Sequence, residues 1–119
     1  MTEKKFRLYS EDLKNGWELV KVSGEIDADS GLYFQDYLEK MLSLKRFHIV
    51  VDLEETSYVN SRGIGILSYF LRECQEHGGN LVLLKPNKKV MALLKITFLT
   101  KLFNIIDDIS ELEEVYNQN

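Results

Sequence analysis

Apolar and polar residues alternate at the start of the chain and predict two short strands. Residues 6–10 alternate, the Asn-Gly pair at 15–16 is a strong turn signal, and an apolar-rich run follows at 17–23. We therefore expect an antiparallel hairpin, followed by a loop over the Gly-Glu-Ile-Asp segment at 24–27.

Three later segments repeat their apolar residues with helical spacing. Asp29 or Ser30 can cap the first helix, and the second opens at Asn60 or Ser61 and ends before the glycines at 78–79. The third begins at Pro86, because a first helical turn accepts proline. The predicted apolar stripes are Phe34, Tyr37, Leu38, Met41 and Leu42 in the first helix, and Ile64, Leu67, Leu71 and Cys74 in the second.

The remaining apolar runs predict strands between these helices. Residues 47–53 are almost continuously apolar, which suits a central strand covered on both faces. Runs at 80–84 and 102–106 predict two further strands, and an acidic start predicts a short last helix over 109–115. The predicted order is ββαβαβαβα: one α/β domain over residues 1–119, with its core at about 6–116. Its sheet is mixed and mostly parallel, with helices packed on it.

Charge and composition exclude several classes of partner. The net charge of −4 disfavours nucleic acid, which requires a basic stripe. No block of Lys and Arg exceeds two residues, so an anionic membrane surface is also disfavoured. Cys74, the single cysteine, cannot form an intrachain disulfide. Neither a signal peptide nor a membrane helix is evident, so we expect a soluble, cytoplasmic protein.

The segment Val-Asn-Ser-Arg-Gly-Ile-Gly at 59–65 is the most informative. It places Ser61 at the mouth of a helix, where unpaired N–H groups and a partial positive charge tolerate an anion. Helical phase aligns Ser61 with Ile64 and Ser68, which predicts partial cover. A serine at this position is otherwise simply a helix cap.

Other chemistry is not indicated by the sequence. His48 and His77 have no companion ligand at metal-binding spacing, and no nucleophile–base pair occurs. Gly63 and Gly65 lack the third glycine of a dinucleotide fingerprint and suit close packing instead. We therefore expect no catalytic residue, no metal and no cofactor, and a protein that is not an enzyme.

Four segments together resemble the STAS domain, the fold of bacterial anti-sigma-factor antagonists. They are Gly-Glu-Ile-Asp at 24–27, Val-Val-Asp-Leu at 50–53, the segment at 59–65, and Leu-x-x-Leu-Phe-x-Ile at 99–105. Each is short, and their order and spacing carry the match. The resemblance covers residues 6–116.

The resemblance implies that Ser61 accepts phosphate from a partner kinase that is itself an anti-sigma factor. Asp27, Asn60, Arg62 and Gly63 would then surround it in the partner interface. Three positions depart from the family pattern: Asn60 replaces an aspartate, Arg62 a second serine, and Phe98 a glycine. Because phenylalanine is strained at positive φ, the last change puts a tight turn in doubt.

The implied function is antagonism of a kinase-type anti-sigma factor, which frees a sigma factor for transcription. Phosphorylation of Ser61 would end the interaction, and a separate phosphatase would restore it. Two alternatives remain open. The domain could be a non-phosphorylated adaptor in a signalling or transporter complex, or a nucleotide- or small-molecule-binding domain at the carboxyl ends of the strands.

Overall fold

A mixed sheet with three helices forms the framework of the protein. The computed structural model describes residues 5–113. Their strands are β1 (Arg7–Asp12), β2 (Glu18–Ile26), β3 (His48–Asp52), β4 (Thr56–Val59), β5 (Asn80–Leu84) and β6 (Asn104–Ile106). The helices are α1 (Ala28–Ser43), α2 (Ser61–Glu76) and α3 (Lys88–Ile96), followed by a 3-10 turn at Ile109–Glu111. None of these helices is long and apolar enough to cross a membrane.

Strand β2 has two parallel neighbours on the same side. The main sheet has the order β1-β2-β3-β5-β6, in which only β1 and β2 are antiparallel. Residues Glu18 to Lys21 of β2 pair with β3, whereas Gly24 to Ile26 pair with β4. The register shifts after Gly24, whose φ of +91° suits glycine. This arrangement lets β2 extend to the edge where the helices begin.

The predicted stripes cover one face of the sheet. Residues from α1, α2 and α3 join one buried cluster, to which β3 contributes Ile49 and Val51. Val50 points to the other face, as strand alternation requires, and joins a smaller cluster with Trp17 and Leu112. The prediction of a central strand covered on both faces is therefore confirmed.

Two predictions about the strands were wrong. Residues 24–26 continue β2 and are not a loop. Residues 56–59, for which no strand was predicted, form β4. The order up to the 3-10 turn is therefore ββαββαβαβ. The pairing of residues 24–26 with β4 explains both errors, because these two short segments form strands by pairing with each other.

Several helix boundaries also differ from prediction. Asp27, and neither Asp29 nor Ser30, is the N-cap of α1. Pro86 lies before Asn87, the N-cap of α3, and so outside the helix. The expected last helix is a 3-10 turn followed by two helical residues, and its predicted extension to Val115 lies outside the described residues. The start of α2 at Ser61 and its end before Gly78 and Gly79 agree with prediction.

The turn after α3 forms despite Phe98. The Phe98 N–H donates to the Lys95 carbonyl at 3.1 Å, and the Leu99 N–H donates to the Leu94 carbonyl at 2.8 Å. This is the hydrogen-bond pattern of a Schellman motif, in which the residue at the position of Phe98 is usually glycine. Phe98 adopts the left-handed conformation with φ of 59°. The doubt raised about this turn was misplaced, because the two hydrogen bonds hold it.

Candidate functional site

The carboxyl ends of β2 and β4 bring two predicted site residues to one edge. Ile26 and Val59 are partners in the parallel pair, and the Asn60 N–H donates to the Ile26 carbonyl at 3.0 Å. Asp27 and Asn60, which follow these partners, are the N-caps of α1 and α2. The two helices therefore begin side by side, and Asp27 lies at the same edge as the start of α2.

Asn60 caps α2 and leaves Ser61 accessible. Its Oδ1 accepts a hydrogen bond from the Gly63 N–H at 2.8 Å. Ser61 is the first helical residue, is exposed, and makes no side-chain hydrogen bond with any residue in 5–113. The expected partial cover of Ser61 was wrong, because its side chain is exposed at the first residue of α2. The cap is supplied by Asn60, which leaves the Ser61 hydroxyl free for chemistry.

The neighbours of Ser61 on α2 have different environments. Arg62 is exposed and follows Ser61 directly in the chain. Gly63 is buried, and a Cβ there would lie 2.6 Å from Val59 Cγ1 and 2.9 Å from Ile26 Cγ2. Gly63 thus permits the close approach of α2 to the strands. It has no side chain with which to contact a partner, so its role at the site is to allow this packing. At Gly65 a Cβ would meet nothing within 4 Å, so the predicted packing role fails there.

Asp27 supplies a fixed negative charge at this edge. Its Oδ1 accepts from the Ser30 N–H at 2.9 Å, from the Ser30 hydroxyl at 3.0 Å and from the Asp29 N–H at 3.0 Å. These bonds, chiefly those from Ser30, lower the pKa of the Asp27 carboxyl below its usual value. Asp27 is exposed and stays ionised at neutral pH. Its structural role as a cap is established, and its charge remains available to a partner.

A third helix begins at the same edge, with its cap at Asn87 and not at Pro86 as predicted. Asn87 caps α3 by accepting from the Val90 N–H at 2.9 Å, and its Nδ2 donates to the Thr56 carbonyl of β4. The signal was present as an asparagine three residues before the apolar Val90. It was overlooked because Pro86 was taken as the helix start. Strand β4 therefore connects all three helix starts. It leads directly into α2, it is hydrogen-bonded to the cap of α3, and it pairs with β2, which precedes α1.

A small cavity lies beside this edge, but its charges do not suit a nucleotide. It measures about 370 Å³ and is lined in part by Lys88 and Lys89, and also by Glu54 and Glu55. The two carboxylates oppose a phosphate group. Within residues 5–113, no group of three His, Cys, Asp or Glu side chains could hold a metal ion.

Comparison with known proteins agrees with this architecture. The family model described as the STAS domain matches residues 14–112. The chain belongs to the STAS domain family. It is 34% identical over 83 residues to a Thermotoga maritima protein described as a candidate anti-sigma factor antagonist, covering 69% of this chain and 70% of the relative. It is also 29% identical over 86 residues to the anti-sigma-B factor antagonist of Listeria monocytogenes, covering 72% and 75%.

Solved structures of an anti-sigma factor antagonist show the same fold. SpoIIAA, an anti-sigma factor antagonist, superimposes in its unphosphorylated form with a TM-score of 0.79 at 17% identity, covering 93% of this STAS chain and 97% of SpoIIAA. Its phosphorylated form, from Bacillus, superimposes with a TM-score of 0.70 at 18% identity, covering 93% and 99%. The predicted α/β fold, with its mostly parallel sheet, is therefore confirmed.

Proposed function

We propose that this STAS domain is an anti-sigma factor antagonist whose binding is controlled by phosphorylation of Ser61. The observation that carries the proposal is the exposed, unbonded Ser61 hydroxyl on the first residue of α2. Relatives named as antagonists of anti-sigma factors support the partner class. SpoIIAA, which shares the fold, exists in a phosphorylated form. The anti-sigma factor would be a serine kinase, and a phosphatase would reverse its action in the cytoplasm.

Phosphate at Ser61 changes the charge of the surface without disturbing the core. A phosphoserine adds about −1.5 to −2 charges near neutral pH. The first-turn N–H groups of α2 tolerate that charge, because they have no acceptor within the helix. Asp27, ionised at the same edge, adds to the negative potential that a partner would meet. The modified domain would stay folded but would no longer bind the anti-sigma factor. The sigma factor would therefore be freed only while Ser61 is unmodified.

Asn60 and Arg62 adjust this reaction. Asn60 caps α2 but, unlike the aspartate of the family pattern, does not repel an incoming phosphate. Arg62 is exposed beside the acceptor and can form a charge-assisted hydrogen bond with the phosphate. Both changes favour persistence of the phosphorylated form once it is made. Restoring the aspartate by Asn60→Asp should therefore shorten the lifetime of phosphoserine during treatment with the phosphatase.

Mass spectrometry of the protein from its host tests the proposal. We expect the mass to increase by one phosphate, mapped to Ser61 and absent in Ser61→Ala. Ser57→Ala is the matched control, because Ser57 is a half-buried hydroxyl on the neighbouring β4 and should leave the modification unchanged. Calorimetry with the host's kinase-type anti-sigma factor should show tight binding of the unmodified domain and at least tenfold weaker binding after phosphorylation.

Two results would reject parts of this proposal. If Ser61 stays unmodified when the kinase and ATP are added, yet the domain still binds the anti-sigma factor, the domain is a constitutive adaptor. If neither form binds an anti-sigma factor, antagonism itself is excluded.

A further inference from the structure

Positive charge is concentrated in one part of this acidic chain. Residues 77–106 contain five lysines and no aspartate or glutamate. This segment contributes five positive charges to a net charge of −4, so the rest of the chain carries −9. The segment includes β5, α3 and the turn that leads to β6. The lysines are dispersed and form no basic block, and this is why the sequence alone disfavoured an anionic membrane surface.

The fold displays apolar side chains next to these lysines. Ile96 at the end of α3 is 73% exposed, Phe98 in the turn is 87% exposed, and Leu102 before β6 is 47% exposed. Lys95 and Lys101 flank them and are exposed. We call Lys95, Ile96, Phe98, Lys101 and Leu102 the basic apolar knob. It lies at the amino ends of the strands, opposite the edge that carries Ser61.

Phe98 is strained as well as exposed. Its φ of 59° suits glycine, and the chain gains almost no burial from its ring. Because no burial within the domain compensates for the strain at Phe98, its ring is suited to a contact with another molecule. This observation, independent of the charge distribution, points to the same surface.

The remaining lysines of the segment are less suited to this contact. Lys85 pairs with Glu54 at 3.7 Å. Lys88 and Lys89 lie beside Glu54 and Glu55 around the small cavity at the other end of α3. These lysines have carboxylates nearby, whereas residues 95–102 contain two lysines and no acidic residue.

We propose that the basic apolar knob docks the protein on an anionic lipid surface. The knob consists of the exposed end of α3 and the tight turn that follows it. Its apolar side chains would enter the headgroup–acyl boundary, while lysine stems extend their ammonium groups to lipid phosphates. All five cations of the segment are lysine, which is depleted at protein interfaces relative to arginine. The docked domain would present Ser61 away from the membrane.

Sedimentation of the full chain with lipid vesicles tests the proposal. We expect binding to vesicles of phosphatidylcholine mixed with phosphatidylglycerol, weaker binding at high salt, and none to phosphatidylcholine alone. Phe98→Gly relieves the backbone strain, so the domain should fold and yet bind about tenfold more weakly. Lys95→Glu with Lys101→Glu should weaken binding by about tenfold or more.

Lys88→Glu with Lys89→Glu is the matched control, because it makes the same change in net charge at the other end of α3. We expect it to reduce binding much less than the knob variants. A further variant, Phe98→Trp, should show a blue-shifted fluorescence maximum when anionic vesicles are added.

Equal loss in the two charge-reversal variants would overturn the proposal, since binding would then depend on net charge alone. Failure of the unaltered chain to prefer anionic vesicles would also overturn it, and would leave an acidic protein surface as the partner of the knob.

Discussion

Gly63 and Gly65 lie two positions apart in α2, yet their surroundings differ sharply. At Gly63, a Cβ would overlap Val59 and Ile26, the residues that end the two strands before the caps. At Gly65 a Cβ would enter open space. The site therefore depends on one glycine for its shape, and the other is a helix residue that an alanine could replace.

Substitution of each glycine by alanine should have opposite effects on stability. Gly63→Ala should lower the free energy of unfolding by about 1–3 kcal/mol, because Val59 or the start of α2 must move. Gly65→Ala should raise it by up to about 1 kcal/mol, because alanine favours an exposed helix interior. Urea denaturation of the two variants measures both values. Equal effects would show that α2 does not depend on close approach at Gly63.

Helix caps at single residues could be predicted from the sequence when the signal was local. Asn60 was identified because an asparagine precedes a clear apolar period in α2. The cap of α1 was predicted at Asp29 or Ser30 but is Asp27, because all three residues offer the same capping chemistry within four positions. The pairing of Ile26 with Val59 makes Ile26 the last residue of β2. Asp27, the next residue, is therefore the cap of α1. Local sequence does not contain that long-range constraint.

At the scale of elements, β4 is short but connects the parts of the site. Its Thr56 carbonyl accepts from Asn87, and its last residue precedes Asn60. Four residues without alternation give no strand signal, and the partner in β2 passes through a glycine that usually marks a turn. The sequence therefore predicted α1, α2, β3 and β5 well, since each has its own apolar pattern, but not β4.

Replacing two similar caps by aspartate should separate capping from the link to β4. Asn60→Asp and Asn87→Asp both keep a capping oxygen, and both add a favourable charge at a helix start. Only Asn87→Asp also loses a hydrogen bond to a carbonyl, which it replaces with repulsion between two oxygens. We expect Asn87→Asp to be less stable than Asn60→Asp by about 1–2 kcal/mol. Thermal unfolding of the pair measures this difference, and equal melting temperatures would show that the link is dispensable.

At the scale of the whole molecule, Cys74 reports on the integrity of the core. It is fully buried on α2 in the cluster shared by all three helices, as the apolar stripe predicted. Burial raises the pKa of its thiol to about 12. The thiol is therefore protonated and shielded at neutral pH, and the helices and the sheet must separate before a reagent can reach it.

Labelling of Cys74 should follow unfolding of the domain. At mildly alkaline pH we expect its reaction with an aromatic disulfide reagent to be at least a hundredfold slower than in the urea-unfolded chain, because only the thiolate reacts. The rate should rise with urea in parallel with loss of helical circular dichroism. Gly63→Ala should accelerate it, whereas Gly65→Ala should not. Fast labelling of the native protein would show that α2 opens independently of the sheet.

The division of β2 between two parallel neighbours has a consequence for folding order. The hairpin of β1 and β2 joins residues close in sequence, but Ile26 and Val59 are more than thirty residues apart. Contacts between residues so far apart in sequence form slowly, because closing the long loop between them costs entropy before the contacts can stabilise the chain. We therefore expect Asp27 and Asn60 to come together late in folding. A partner that requires both residues side by side would then bind only the folded domain and not a nascent chain.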